Sequence, residues 1–297
     1  MIACSWKHVL QVRMPVSRGL AILFAAVLTF ISVPAASKGQ ALNCTGTSAS
    51  GNPAAQEEID KGVELYKNAR YADAISHFQR ATDLAPCMTK ARSYLATAQA
   101  QDVVPALNTP ENLKIAEQAI ANFKLVLALD PHDVDSLKQV AGIYYSTKRL
   151  DEARDWQKKV LAEDPHDAEA AYTIGVIDWN QAHSNALNAL EKVGLEDDGE
   201  GNAQAAPEVL ALIKQKNADL VAEAIQYLAQ ALADRPNYDD AMAYINLVYR
   251  RKADIDYDNP SQRSEDIETA KEWSRKAMLT RKDNQAQKLS QDDPSQP

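Results

Sequence analysis

The sequence predicts an all-α chain, a right-handed α-solenoid of about five stacked helix pairs, and three observations lead there. Four helical phrases close on the same punctuation, Ala81 to Pro86, Val126 to Pro131, Val160 to Pro165 and Ala231 to Pro236, and Pro131 and Pro165 stand 34 residues apart. Proline has no N–H for the helical bond and clashes with the preceding turn, so each one ends a helix at a fixed place in a repeating unit. Small residues recur at set distances before those prolines: Gly62, Ala74 and Ala81; Ala96 and Ala119; Ala141 and Ala153; Gly175, Ala224 and Ala231. They mark close helix crossings, with larger apolar side chains filling the space between. No alternating apolar–polar run is long enough to make a competing strand.

Taken in order, residues 1–37 read as a secretory signal peptide. Lys7, Arg13 and Arg18 lead into an apolar run from Gly19 to Val33, and Pro34-Ala35-Ala36-Ser37 offers small residues for cleavage after Ser37. Met14 is an alternative start. The apolar run falls short of the ~20 residues that span a bilayer, so the expected location is periplasmic or secreted, with membrane contact only through an uncleaved signal. Residues 38–54, rich in Gly, Ser, Thr and Asn, read as a flexible leader.

The array then runs from 55 to 281, in units of about 55–88, 89–133, 134–167, 168–238 and 239–281. Two gaps between closing prolines exceed the period. From Pro86 to Pro131 the chain takes 45 residues, with an insertion over 103–110 after which Thr109 caps and Pro110 opens the next helix. From Pro165 to Pro236 it takes 71. The long insertion, about 181–216, contains the acidic, glycine-broken Glu196-Asp-Asp-Gly-Glu-Gly-Asn202. After it Pro207 opens a helix through Val209, Leu210, Ile213 and Leu220 to Leu232, longer than a standard second helix and expected to project beyond the array, covering a groove edge or meeting a partner. The last unit keeps Tyr249, Ala270 and Ala277 but has Lys282 where proline would stand, a degenerate polar cap. Residues 282–297 read as a disordered tail.

Charge narrows the partners. The chain carries 32 basic and 41 acidic side chains, and because residues 1–37 hold three basic and no acidic ones, the remainder has a net charge of −12. A surface so acidic argues against nucleic acid or an anionic membrane as the main partner. No serine sits in a nucleophile elbow and no glycine loop could cradle phosphate, so neither an enzyme nor a cofactor is expected.

The phrase from Gly62 through Tyr71, Ala74, Phe78 and Ala81 to Pro86 resembles the tetratricopeptide repeat family, whose unit is two antiparallel helices with small residues at the eighth, twentieth and twenty-seventh positions and proline at the thirty-second. The resemblance covers roughly 55–281. It departs at the fourth position of the first unit, where the family's common Trp is Glu58. Over Tyr172 to Trp179 and Tyr238 to Tyr244 the chain is also similar to insertion-bearing exported bacterial repeat proteins of acidobacterial type, a likeness that carries no known activity.

In that family ligands lie along the concave face built by the first helices. Position by position, the resemblance puts there Ile59, Val63, Tyr66 and Lys67; Lys90, Ser93 and Thr97; Asp135, Lys138, Gly142 and Tyr145; Glu169, Tyr172, Val176, Trp179 and Asn180; and Asp240, Ala243, Arg250 and Arg251. A protein or peptide partner is the expectation, held by Tyr66, Tyr145, Tyr172 and Trp179 with Lys138 and Asn180 orienting it, because aromatic rings give large contact area with little entropy to lose. An equal reading makes Tyr172, Val176 and Trp179 core beneath the inserted helix. The carboxylate clamp of chaperone-binding relatives would need Lys and Asn where Ile59 and Val63 stand, so the resemblance does not extend to it.

Two further readings concern ions and thiols. Asp254, Asp256, Asp258 and Glu265 fall at the first, third, fifth and twelfth places of an EF-hand-like loop and could wrap calcium, although Asn259 replaces the usual glycine. The competing local reading is a helix start, with Asn259 as cap, Pro260 first and Gln262 completing the box. Cys44 and Cys87 form an even pair that an oxidising compartment would let close, a loop worth about 4 kcal/mol. His132 and His166 each follow a closing proline and read as turn residues. The functional expectation is therefore an exported non-catalytic scaffold, with a calcium-binding or enzyme-accessory module and a structural envelope spacer as alternatives.

Overall fold

A computed structural model describes residues 52–291, and among them the chain forms ten α-helices and no strand. The helices are α1 (Pro53–Lys67), α2 (Tyr71–Leu84), α3 (Thr89–Gln101), α4 (Pro110–Leu129), α5 (Val134–Ser146), α6 (Leu150–Glu163), α7 (Ala168–Glu191), α8 (Pro207–Asp234), α9 (Asp239–Ile255) and α10 (Pro260–Gln291). Each packs on the next in sequence, and α1 meets α3, α3 meets α5 and α7 meets α9. That is the all-α solenoid predicted: helix pairs in a row, with the first helices side by side along one face.

The small residues sit where helices cross. Ala74, Ala81, Ala96, Ala119, Ala141, Ala153, Ala224 and Ala231 are fully buried. A methyl group at Gly62 would stand 2.5 Å from the Phe78 ring, and one at Gly175 would stand 2.5 Å from Leu228 Cγ. The repeat also writes its turns twice. Asp130 Oδ1 accepts from the His132 backbone N–H at 3.2 Å and Asp164 Oδ1 from that of His166 at 3.2 Å. Each imidazole then reaches a carboxylate at the end of a later second helix, Glu163 at 2.7 Å and Asp234 at 2.8 Å.

Helix starts follow their local chemistry. Asn52 accepts from the N–H groups of Ala54 and Ala55 ahead of Pro53, so the last two residues assigned to the leader, 53 and 54, are helical; the rest of the leader and the signal lie outside the described residues. Thr109 accepts from Asn112 N–H at 3.3 Å, and Asn112 closes the inserted loop with bonds to Val104 and Leu107. At the α10 start Asn259 Oδ1 accepts from Gln262 N–H at 3.2 Å, the capped helix start rather than a metal loop.

Two expectations about the second half are corrected. The helix opened by Pro207 does not project alone, because α7 is extended as well, to 24 residues beside the 28 of α8. Their added lengths bury Ala186, Ala189 and Leu190 against Leu210 and Ile213 as a separate small core, and Asn217 donates to the Ala182 carbonyl at 2.7 Å. Gly194, at φ +73°, ends α7 in the left-handed conformation that suits glycine. The stretch 282–291, expected to be disordered, continues α10 to Gln291. Asn284 donates to Asn237 O and to Asp239, both at 3.0 Å, so contacts with the start of α9 hold that turn in place despite its polar composition.

The acidic loop between α7 and α8 is tied down by its own side chains and by α9. Asp198 Oδ1 accepts from Glu200 and Asn202 N–H, Asn202 donates to Asp197 at 3.0 Å and to Asp254 at 2.8 Å, and Arg251 donates to Asp197 at 2.8 Å. Asn202 and Asp254 are fully buried.

Candidate binding groove

The first helices present two different concave regions. The larger is a groove of about 870 Å³ running across α1, α3 and α5. Val63, Tyr66 and Lys67 form one wall, and Lys90, Ser93, Tyr94 and Thr97 of α3 line the middle. Phe78, Phe123 and Val126, buried below, make an apolar floor. Asp130, Asp133 and Asp135 stand at the far rim, so the groove is basic at its α1 end and acidic at its α5 end. Tyr94, stacked on Phe78 with ring centroids 5.4 Å apart, keeps 37 % of its surface exposed. Tyr66 meets Tyr71 edge-on at 5.2 Å, which places it in this groove and away from the other sequence-predicted aromatics.

The second region lies between the third and fourth pairs. Tyr145 and Tyr172 line a cavity of about 250 Å³ with Gly142, Gln157, Glu169, Thr173 and Val176. Burial pushes the Tyr172 phenol up, with Tyr244, Asp240, Tyr145 and Glu169 adding to the shift. Tyr172 packs on Tyr238 at 4.8 Å and on Tyr244 at 5.7 Å. Trp179 stacks on His183 at 5.0 Å and meets Tyr244 edge-on at 5.3 Å. It is therefore α9, not the inserted helix, that covers Tyr172 and Trp179.

The remaining predicted residues divide accordingly. Lys138 is paired with Asp167, whose carboxylate holds the Lys138 ammonium above its ordinary value. Asn180 turns back to its own helix, donating to the Val176 carbonyl at 2.9 Å. Ile59, Val176 and Arg251, which the repeat positions put on the concave face, are buried. Tyr145, Tyr172 and Trp179 thus do not make one open wall with Lys138 and Asn180: the first two share a small cavity, and the third is packed a helical turn or two further on.

The calcium reading is overturned by the partners of its carboxylates. Asp254 faces inward, 3.0 Å from Arg251 though off the line of a hydrogen bond. Asp256 pairs with Lys252 at 2.7 Å and Asp258 with Lys214 at 3.4 Å, while Glu265 is exposed on α10. The loop turns its oxygens apart because α9 continues to Ile255 and α10 starts at Pro260. Among the described residues no group of three or more His, Cys, Asp and Glu side chains converges as a metal site, and no helix is long and apolar enough to cross a membrane. Cys87 is disulfide-bonded; Cys44 lies outside the described residues.

Sequence reasoning missed Tyr94 and Gln157. Tyr94 stands one place after a concave position and Gln157 lies on a second helix, so position counting passed over both. A large aromatic at the edge of the small-residue pattern was the available signal for Tyr94; nothing in the sequence signalled Gln157.

The tetratricopeptide repeat family model matches residues 116–177, from α4 into α7. No curated protein matches the chain. Among solved structures, a MamA double mutant from RS-1 superposes with a TM-score of 0.53 at 14 % identity, covering 79 % of this chain and 98 % of its own. MamA from residue 41 onward of Desulfovibrio magneticus RS-1 gives 0.52 at 15 % identity over 78 % and 97 %. A further MamA structure gives 0.51 at 14 % identity over 82 % and 98 %. At such identity the likeness establishes the shared helical solenoid fold.

Proposed function

We propose that this protein is an exported, non-catalytic scaffold that seats a peptide or helical segment of another protein in the groove across α1, α3 and α5. The observation that carries the reading is that groove itself: about 870 Å³, floored by buried Phe78 and Phe123, with Tyr66 and Tyr94 as aromatic handles and opposite charge at its two ends. A segment with an apolar centre, acidic toward Lys67 and Lys90 and basic toward Asp133 and Asp135, matches it in shape and charge. Aromatic anchors at a groove centre carry much of the binding energy in such contacts.

The test uses peptides selected from a random displayed library on the purified protein, measured by fluorescence anisotropy. Tyr94→Ala and Tyr66→Ala are expected to weaken the selected peptides by about tenfold or more with the helical circular dichroism retained. Peptides that bind both variants as tightly as the parent would remove this groove as the site.

Export rests on the charged lead, the short apolar run and the small residues before Ser37, and a Cys44–Cys87 bridge fits an oxidising compartment. N-terminal sequencing and intact mass of the native protein read both: a chain beginning at Lys38 with no alkylatable thiol is expected, and an intact N-terminus or two free thiols counts against them.

A further inference from the structure

The cavity between the third and fourth helix pairs has properties that the larger groove lacks. Its space exists because Gly142 of α5 has no side chain: a methyl group built there would meet nothing within 4 Å. Gln157, on α6, lines the cavity and is 92 % buried by its 8 % exposure, and its Oε1 has no hydrogen-bond partner. An orphaned buried carbonyl oxygen is costly, because the group has given up water without replacement. At the mouth stands Glu169. Its Oε2 is used twice, accepting from the Tyr238 hydroxyl at 2.8 Å and the Arg235 guanidinium at 3.4 Å, while Oε1 has no partner among the described residues. The walls are the rings of Tyr145 and Tyr172. Lys138, the cation expected nearby, is engaged by Asp167, and Asp240 and Glu169 are the charges that act on Tyr172.

We infer that this cavity is a subsite for a cationic side chain, the ammonium or guanidinium of a lysine or arginine carried by the partner segment. An unpaired carbonyl oxygen inside, an unpaired carboxylate oxygen at the mouth and two aromatic faces between them are all acceptors of positive charge, and a flexible alkyl stem can cross aromatic walls to reach a buried acceptor. A carboxylate ligand would meet Glu169 and gain nothing from Gln157 Oε1; an apolar one would leave that oxygen unpaired. The inference deepens the peptide-binding reading and rests on it for the origin of the cation, though the subsite can be probed on its own.

The probes are butylguanidinium and butylammonium chlorides, with pentanamide and butyrate as neutral and anionic comparisons, titrated into the purified protein while the Gln157 side-chain amide and Gly142 backbone amide are followed by NMR. Both cations are expected to shift these signals saturably at millimolar concentration, and butyrate is not. Gly142→Leu fills the space without a clash and should abolish the shift while leaving the unfolding temperature unchanged or raised; Glu169→Gln should weaken binding about fivefold. No saturable shift, an equal response to pentanamide, or binding undiminished in Gly142→Leu would overturn the inference. If library peptides bind through Tyr94 and these cations do not bind here, the subsite falls and the peptide-binding reading stands. If the cations bind and no peptide does, the reverse holds.

Discussion

Tyr94 in α3 and Tyr172 in α7 stand at neighbouring places in two first helices of the same repeat plan, yet Tyr94 borders an open groove while Tyr172 is packed between Tyr238 and Tyr244. The difference lies in what the next first helix supplies. Across α3 and α5 the groove is lined by Ser93, Thr97 and Ser136, small side chains that leave room. Across α7, α9 brings two tyrosines that close over Tyr172 and Trp179. The backbone pattern of a repeat sets where a concave side chain stands, and the bulk on the adjacent repeat decides whether a partner can reach it. The second half is also stiffened by features the first lacks: the added α7–α8 core, and the buried tie from the acidic loop to α9 through Asp197, Asn202, Arg251 and Asp254.

The largest expected effect tests that tie. Arg251→Met removes the cation from beside Asp197 and Asp254, and stranding two buried carboxylates is expected to cost about 3–5 kcal/mol in urea unfolding. Hydrogen exchange over residues 196–202 should rise, while the groove across α1, α3 and α5 stays protected. A loss below about 1 kcal/mol would show that the second half does not depend on the network.

A second effect depends on pH. Asp178 is fully buried in α7, 2.9 Å from Arg154, and burial raises its carboxyl to about 6. A folded carboxyl that keeps its proton to higher pH than the unfolded one contributes stability that is fully present below about pH 4 and lost as pH rises through about 6. Asp178→Asn should flatten the fall in stability between pH 4 and 7 by roughly 2–3 kcal/mol; superimposable pH profiles for the two proteins would refute the assignment.

The smallest effect compares the two glycine crossings directly. Gly62→Ala and Gly175→Ala each set a methyl 2.5 Å from a neighbour, Phe78 in one case and Leu228 in the other, and overpacking of this kind costs about 1–3 kcal/mol. Phe78 can yield toward Tyr94 and the open groove, whereas Leu228 sits inside the cluster with Val221, Ala224 and Val248. Gly175→Ala is expected to be the more destabilising by about 1 kcal/mol, with Gly62→Ala instead narrowing the groove and weakening bound peptides. Equal losses in urea unfolding would mean that the first half is packed as tightly as the second.

The sequence by itself determined the all-α repeat architecture. Proline spacing, buried alanines and capping residues act locally, within one helix or between one helix and its neighbour, so a period of 34 residues writes them legibly. The loop after Asp254 was legible as a capped helix start for the same reason, since Asn259 and Pro260 need nothing beyond their own turn. Only the tertiary structure decided which concave residues are open. Whether Tyr172 is exposed depends on Tyr238 and Tyr244, some 70 residues away, and whether Gln157 faces space depends on Gly142 and the approach of α7. Likewise Lys138 is an orienting cation in the sequence and half of an ion pair in the fold, because Asp167 reaches it from the next helix pair. Exposure and pairing are set by contacts between elements distant in the chain, and no local pattern encodes them.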